Sequence, residues 1–362
     1  MNKIKFMKLA IDLAKQGLGR TQTNPVVGCA IVKNGKIVGK GFHEKFGKSH
    51  AEINALRMAG RKAKGSTLYV TLEPCVHSGK GKQTPPCVPA ILKAGVKKVI
   101  VSMKDPNPNV SGKGILELQK KGISVKVGVL EKEAKELNQA YLKWIQTKGP
   151  WIVQKIGISA NGMIWSEEQK KSWINGLETR TFAHKLRNTL DGILIGAKTA
   201  THDNPKLTCR IKHGRNPVRI VLDPKLEISE NAKLLNQKGK TILVIGNNLS
   251  QKKKLKKKRF EKKFKIKIEF MELKSRNGIF NLKQVFKELG KKNLASILVE
   301  GGQILNTSLL NQKLADQVLI AVTPVIFQTG TYFVDVKKAK RLNLKIQKIN
   351  KLGKDILIEC RN

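Results

Sequence analysis

Hydrophobic residues in the first half of the chain alternate between short continuous runs and helical repeats. A repeat that begins at Ile4 predicts an amphipathic first helix. Apolar runs at 26–32 and 36–41 flank Asn34-Gly35, and this pattern predicts a β-hairpin because both turn positions tolerate positive φ. The remaining pattern predicts strands at 67–72, 98–103 and 124–127, and helices at 50–60, 88–94, 112–121 and 131–146. Such alternation is typical of a layered α/β domain.

The same alternation resumes after Lys148-Gly149-Pro150, a segment that ends a helix. We therefore predict two domains, 1–147 and 148–362, each long enough for its own core. In the second, strands are predicted at 151–158, 192–196, 218–222, 241–245, 266–271, 296–299, 317–322 and 355–360, and helices at 176–188, 281–289 and 303–310. The lysine-dense stretch 252–267 is interpreted as the solvated face of a helix.

The chain of 362 residues has a net charge of +45. Such a charge would ordinarily favour a nucleic-acid partner, because Lys and Arg neutralise phosphates. The lysines occur in every segment, however, and only 5% of the residues are aromatic and able to stack on bases. We interpret the charge as compositional drift and expect no nucleic-acid partner, although the field would attract a phosphorylated, anionic substrate.

Cysteine usage and the absence of a long apolar run indicate the compartment. Five cysteines without paired spacing are typical of a reduced, soluble, cytoplasmic protein. Residues 1–17 lack the apolar core of a signal peptide, and no membrane partner is expected. The sequence does not determine the oligomeric state, and a homo-oligomer is one open alternative.

Three potential metal ligands and one carboxylate form the strongest chemical pattern. His50, Cys75 and Cys87 can supply three ligands to one Zn²⁺ per chain and leave the fourth position open, as in catalytic zinc sites. Glu52 can then carry protons. Zinc deaminases have H-x-E followed by P-C-x-x-C, whereas residues 76–86 separate these two cysteines. Each residue alone is more commonly structural, but both cysteines follow a proline and precede a helical pattern, so together they predict a zinc site.

The motifs His50-Ala51-Glu52, Leu72-Glu73-Pro74-Cys75, Thr84-Pro85-Pro86-Cys87 and Asp105-Pro106-Asn107-Pro108 together resemble the bifunctional riboflavin-biosynthesis deaminase/reductase (RibD) family. The likeness covers nearly the whole chain. It implies a cytidine-deaminase-like three-layer α/β/α domain followed by a dihydrofolate-reductase-like α/β domain. It also implies zinc-dependent deamination of a diaminopyrimidine with a phosphoribosylamino arm, then reduction of that arm to ribityl with NADPH.

The resemblance also assigns binding residues. Asn24 and His43 fall on positions that line the pyrimidine pocket, although a simple turn and a strand end are equally open for these two. No G-x-G-x-x-G fingerprint occurs, but Glu300-Gly301-Gly302 between a predicted strand and helix could hold a pyrophosphate at the helix start. The implied cofactor positions are Gly157, Trp173, Thr199, Asp203, Gly301 and Gly302, and the implied substrate positions are Lys171, Arg187, Leu207, Arg210 and Glu300. The two arginines suit bidentate phosphate binding.

Several positions depart from the family pattern. The loop before Cys87 is longer, with Gln83 in place of an arginine. Asn161 and Asn204 replace aspartates, and Gln169-Lys170-Lys171 replaces Gly-Glu-Ser. The departures in the second half leave open a deaminase with a decayed reductase half. Two further alternatives come from other classes: a nucleic-acid base deaminase, which would need a shorter cysteine spacing, and a basic RNA-binding protein with a degenerate zinc site.

Overall fold

A computed structural model describes residues 2–76, 84–169 and 173–361. The chain divides into two compact units, residues 1–148 and 149–362, one residue after the predicted boundary. The predicted substrate residue Lys171 and the loop position Gln83 lie outside the described residues, as do the rest of 77–83 and 170–172.

Within the described part of the first unit, five strands form one sheet in the order β2-β1-β3-β4-β5. Its elements are α1 (Asn2–Lys15), β1 (Gly28–Lys33), β2 (Lys36–Phe42), α2 (Ala51–Ala59), β3 (Thr67–Leu72), α3 (Cys87–Lys93), β4 (Lys98–Met103), α4 (Lys113–Lys120), β5 (Ser124–Val127), α5 (Glu131–Leu137) and α6 (Gln139–Thr147). Strand β1 is antiparallel to β2 and β3, whereas β3, β4 and β5 are parallel.

Both faces of this sheet are buried, as the alternation along β1 shows. Cys29 and Ile31 pack on one face with residues of α2, α3 and α4. Ala30 and Val32 pack on the other face with residues of α1. Successive side chains of a strand point to opposite faces, so a strand that is apolar at every position separates two helical layers. This is the three-layer α/β/α arrangement implied by the resemblance.

The single helix predicted over 131–146 is wrong, because two helices meet at Asn138. Asn138 has φ −108° and ψ 20°, which interrupts the helix. Its side chain accepts a hydrogen bond from the backbone nitrogen of Val26 (2.9 Å) and donates to the Val26 oxygen (3.0 Å). The break therefore satisfies both backbone polar groups of a distant loop residue, as buried backbone groups require.

The contact between α1 and β1 depends on Gly28. A Cβ there would lie 1.9 Å from the Ala10 oxygen and 2.6 Å from the Ala14 nitrogen. We expect Gly28→Ala to lower the free energy of unfolding by about 3 kcal/mol, the upper range for overpacking, because only backbone atoms could yield. Gly65→Ala is the control, since it adds a methyl group to open space at φ +74° and should cost roughly 1 kcal/mol. Equal losses in urea unfolding would contradict the prediction.

In the described part of the second unit, nine strands form one sheet in the order β11-β10-β9-β8-β14-β6-β15-β18-β17. The strands of this sheet are β6 (Trp151–Ser159), β8 (Gly192–Gly196), β9 (Val218–Leu222), β10 (Thr241–Gly246), β11 (Ile268–Leu273), β14 (Ser296–Val299), β15 (Gln317–Thr323), β17 (Lys345–Leu352) and β18 (Asp355–Arg361). Four shorter strands form two separate pairs, β7 (Met163–Trp165) with β16 (Thr331–Tyr332) and β12 (Ser275–Arg276) with β13 (Ile279–Phe280). The helices are α7 (Leu177–Thr189), α8 (Ala197–His202), α9 (Gln251–Phe264), α10 (Leu282–Lys291) and α11 (Gln303–Asn311). From β11 to β15 neighbouring strands are parallel, and β18 and β17 add an antiparallel edge.

Several features of this unit differ from the predictions, among them the short helix α8 and the short strands β7, β12, β13 and β16, which were not predicted. The strand predicted from residue 266 begins at Ile268, because a 3-10 turn over Lys265–Lys267 follows α9 and leaves Ile266 94% exposed. The edge strand β17 was not predicted at all, because nearly all of its side chains are exposed and it presents no alternating buried face. Periodicity cannot identify such a strand.

Among the described residues, no helix has both the length and the apolar character needed to cross a membrane.

Candidate active sites

The three predicted metal ligands converge in the first unit. His50 Nδ1 lies 3.3 Å from the Cys87 Sγ and 3.5 Å from the Cys75 Sγ, and the ligand atoms all lie within 4.8 Å of one another. A tetrahedral zinc with bonds of about 2.3 Å to sulfur and 2.0–2.1 Å to nitrogen holds such ligand atoms about 3.6 Å apart. The spacing and the donor types therefore fit a zinc ion.

Different elements carry the ligands. His50 immediately precedes α2, and Cys87 is the first residue of α3. Cys75 follows β3 and does not begin a helix in residues 73–76, contrary to the predicted pattern. Its carbonyl oxygen instead accepts hydrogen bonds from the backbone nitrogens of Cys87 (3.0 Å) and Val88 (3.2 Å). These bonds satisfy two donors at the start of α3 and hold the two cysteines together.

Glu52 lies in the first turn of α2 and is only 3% exposed. Burial raises the pKa of its carboxyl group, although the nearby His50 acts in the opposite direction. The pKa of the Cys87 thiol is raised well above its ordinary value, first by its hydrogen bond with Cys75 and then by burial. A divalent cation held by His50 and the two buried thiols would stabilise the thiolate forms of both cysteines.

The structure brings the two predicted pyrimidine-pocket residues together beside the metal ligands. His43 Nδ1 lies 3.2 Å from the Ser49 oxygen, and Asn24 Nδ2 lies 3.5 Å from His43 Nε2. The His43 and His50 rings meet edge to face at 5.4 Å. Burial lowers the pKa of His43, so a neutral ring that donates from Nδ1 fits these contacts.

A buried acidic network next to Cys75 was not predicted, although its residues belong to the quoted motifs. Glu73 accepts hydrogen bonds from the backbone nitrogens of Asp105, Gly112, Gly114 and Ile115, at 3.0–3.3 Å. The Tyr141 hydroxyl donates to Asp105 at 2.6 Å. Glu73 thus ties the strand end that leads to Cys75 to the start of α4. The motif Leu72-Glu73-Pro74-Cys75 therefore supplies both a metal ligand, Cys75, and a carboxylate, Glu73, that holds the neighbouring backbone in place.

In the second unit, a partly buried ion pair joins two predicted substrate residues. Arg187 Nη2 donates to Glu300 Oε2 at 2.6 Å, and Arg187 Nη1 donates to the Thr208 oxygen at 3.3 Å. Burial alone would raise the pKa of Glu300, but the charges of Arg187 and Lys155 outweigh it and lower that pKa. Arg187 Nε and Glu300 Oε1 are buried and have no partner among the described residues. Because buried polar atoms are nearly always hydrogen-bonded, a bound ligand or water would account for these two.

Lys155 is a site residue that was not predicted. Parallel pairing aligns Val299 with Gln154, which places Lys155 beside Glu300. Burial lowers the pKa of Lys155, whereas the charge of Glu300 raises it. The chain has 71 lysines and arginines, so a single lysine within a predicted strand did not stand out as a site residue.

Predicted cofactor residues follow the carboxyl ends of neighbouring parallel strands, where α/β sheets commonly bind ligands. Gly302 precedes α11, and a Cβ on it would lie 3.5 Å from the Thr199 hydroxyl. Asp203 directly follows α8, its backbone nitrogen donates to the Thr199 oxygen (3.1 Å), and burial raises the pKa of its carboxyl group. The Asn306 side chain donates to the Gly301 oxygen at 3.1 Å and fixes the glycine turn.

Gly157 on β6 has a packing reason to be glycine, because a Cβ there would lie 2.0 Å from Asn175 Oδ1. Leu207 is buried and adopts φ +52°, a strained conformation that is often found at functional sites. Trp173 is 66% exposed, with the Arg180 guanidinium 5.6 Å from its ring. Arg210 is also exposed, so these two residues lie at the surface.

The two asparagines that replace family aspartates have local partners. Asn161 accepts from the Ser159 hydroxyl (2.8 Å) and donates to the Phe327 oxygen (2.8 Å), a bond that an aspartate could not donate. Asn204 accepts from the Lys233 nitrogen at 2.8 Å. Both substitutions are therefore accommodated by the fold.

Two family models match the chain. The cytidine and deoxycytidylate deaminase zinc-binding region matches residues 1–103, and the RibD C-terminal domain matches residues 150–358. The riboflavin biosynthesis protein RibD of Aquifex aeolicus is 41% identical over 98% of this chain and 96% of its own length. The Escherichia coli protein of the same name is 34% identical over 98% of this chain and 97% of its own length.

Solved structures agree over the full length. RibD of Acinetobacter baumannii has a TM-score of 0.86 and 32% identity, covering 99% of this chain and 98% of its own. The diaminohydroxyphosphoribosylaminopyrimidine deaminase/5-amino-6-(5-phosphoribosylamino)uracil reductase of Thermotoga maritima has a TM-score of 0.84 and 33% identity over the same shares. These matches confirm the predicted α/β fold class and give no support to a deaminase with a decayed reductase half or to a nucleic-acid base deaminase. The chain belongs to the RibD family of riboflavin-biosynthesis enzymes, with a zinc-binding deaminase half followed by an NADPH-dependent reductase half.

Proposed function

We propose that the first unit hydrolytically deaminates a diaminopyrimidine that carries a phosphoribosylamino arm, and that the second unit then reduces the ribosyl arm of the product with NADPH. The observation that carries the first step is the cluster of His50, Cys75 and Cys87 with Glu52 buried beside it. Zinc, when bound, supplies the acidity that makes hydroxide available from water near neutral pH.

In the deaminase, Glu52 takes the proton of the attacking water and delivers protons to the ring and to the leaving amine. It suits this role because its raised pKa lets it hold a proton during the reaction. Asn24 and His43 bind the pyrimidine ring, since their polar side chains meet beside His50. One zinc ion per chain is expected.

In the reductase, NADPH supplies the hydride, and the protein binds and orients both reactants. We assign the cofactor to the glycine turn at the start of α11, where helix amides favour phosphate groups. The residues assigned to NADPH are Gly157, Trp173, Thr199, Asp203, Gly301 and Gly302, and those assigned to the ribotide are Lys171, Arg187, Leu207, Arg210 and Glu300. The buried unpartnered atoms of Arg187 and Glu300 support the assignment of the ribotide to their side of the site.

We propose a phosphorylated small molecule as the partner of this protein and expect no nucleic-acid partner. Many lysines on the basic helix α9 have local partners: Lys253 and Lys256 donate to the Leu226 oxygen at 2.9 and 3.0 Å. Lys257 pairs with Glu272 at 2.7 Å. Several lysines of α9 are thus engaged locally, and the helix is interpreted as a solvated charged face rather than as a nucleic-acid-binding surface. No disulfide joins any of the described cysteines, which supports the proposed cytoplasmic location.

A coupled assay tests the proposal as a whole. Purified zinc-loaded full-length protein, given the diaminopyrimidine ribotide and NADPH, should release ammonia and oxidise NADPH in equal amounts. Ammonia should appear first, because the second unit is proposed to accept only the deaminated ribotide. Ammonia release without NADPH oxidation would show that only the deaminase is active. NADPH oxidation without ammonia release would show that reduction does not require prior deamination.

A further inference from the structure

The histidine of the metal cluster is contacted at both ring nitrogens by one short segment. Cys87 Sγ lies 3.3 Å from His50 Nδ1, and Thr84 Oγ1 lies 2.8 Å from His50 Nε2. The nitrogen that faces Thr84 is therefore the one that does not face the thiols. The sequence motif contains both contacting residues, three positions apart.

The two prolines explain why this segment can reach both nitrogens. A residue before proline avoids the helical region, which favours extended backbone at Thr84 and Pro85. Pro86 has φ −65° and ψ 148°, the values of polyproline II. That conformation has three residues per turn, so residues 84 and 87 project to the same side. Proline rings also restrict the unfolded chain, which lowers the entropic cost of holding this geometry.

We propose that Thr84 is a positioning residue that orients the zinc ligand His50, so that Thr84-Pro85-Pro86-Cys87 carries both a ligand and the partner of a second ligand. The Thr84 hydroxyl accepts the proton of Nε2, which leaves the lone pair of Nδ1 directed at the metal. Ring orientation and tautomer of ligand histidines are commonly fixed by such a partner. The inference rests on the proposed zinc-dependent function.

The opposite polarity of this hydrogen bond would conflict with the cluster. If the hydroxyl donated to Nε2, the neutral ring would carry its proton on Nδ1, between two sulfur atoms at 3.3 and 3.5 Å. That proton would occupy the direction of the metal. Acceptance by Thr84 is the arrangement that permits all three ligands to bind one ion.

Three variants of the full-length protein test the proposal. Thr84→Val removes the hydroxyl and keeps the shape, whereas Thr84→Ser keeps the hydroxyl. Thr71→Val is the control, because Thr71 is a buried threonine of the same unit whose hydroxyl accepts a hydrogen bond from the Gly28 nitrogen at 3.1 Å rather than facing His50. The readouts are the zinc dissociation constant, by competition with a chromophoric chelator, and the visible absorption of the cobalt-substituted protein.

We expect Thr84→Val to raise the zinc dissociation constant by about 10–100-fold, the range observed for partners of ligand histidines, and to shift the cobalt bands. Thr84→Ser should restore both, and Thr71→Val should lower thermal stability with unchanged metal binding. Unchanged zinc affinity and cobalt bands in Thr84→Val would overturn the role of Thr84 while leaving the proposed function intact. A wild-type protein that binds no zinc would overturn both.

Discussion

Replacing Glu52 with glutamine is expected to leave zinc bound and to slow deamination by at least about 100-fold, the lower limit for losing a positioned proton carrier. Glutamine has the same shape but cannot exchange protons. Glu52 is buried at the first turn of α2 beside Cys87 and is not one of the clustered ligands. Metal content by atomic emission and ammonia release by the purified full-length variant are the measurements.

Cys75→Ser is the matched comparison for this prediction. It removes one of the two thiolates, so both zinc content and deamination should be lost. Loss of zinc in Glu52→Gln would instead move Glu52 into the metal shell. Full deaminase activity in metal-free wild-type protein would contradict the zinc chemistry altogether.

The sequence could predict the sheet of the first unit because its strands have two buried faces. Strand β1 is apolar at consecutive positions, since Cys29 and Ile31 face one helical layer and Ala30 and Val32 the other. Continuous apolar runs of this length are readily recognised as buried strands. The α/β fold class was therefore accessible without any homologue.

Elements fixed by long-range contacts could not be predicted. The helix break at Asn138 depends on hydrogen bonds to Val26, a residue far away in the chain. The edge strand β17 is defined only by its pairing with β18. Local periodicity contains neither contact, so tertiary structure overrides the helix propensity of 131–146 and creates a strand without an apolar pattern.

The same distinction applies to the sites. His50, Cys75 and Cys87 were predictable because few residue types bind zinc and their number matched an open site. Thr84 and Lys155 were not, since threonine and lysine acquire a role only from what the fold places beside them. Proline at two consecutive positions before Cys87 was the available signal for Thr84.

The reductase site leads to a prediction that separates its two arginines. Arg210 is exposed, so we expect it to contact the ribotide phosphate, whereas two nitrogens of Arg187 are already bound to Glu300 and the Thr208 oxygen. Arg210→Met should raise KM for the deaminated ribotide by about 10–100-fold with kcat nearly unchanged, because one charged hydrogen bond contributes about 1.5–3 kcal/mol to binding. This loss should disappear when the substrate lacks its phosphate.

Arg187→Met should behave differently, because it leaves the partly buried carboxylate of Glu300 beside Lys155 without its arginine partner. We expect kcat to fall by about 100-fold with either substrate, since removal of one member of a buried pair costs more than the contact itself. Arg276→Met, an exposed residue on β12, controls for the loss of positive charge in this unit. The rate of NADPH oxidation, measured as a function of ribotide concentration with the phosphorylated and the unphosphorylated substrate, distinguishes the effects of the two variants. If Arg187→Met affected only KM, and only with the phosphorylated substrate, Arg187 would be a phosphate ligand like Arg210 rather than the residue that holds Glu300 in place.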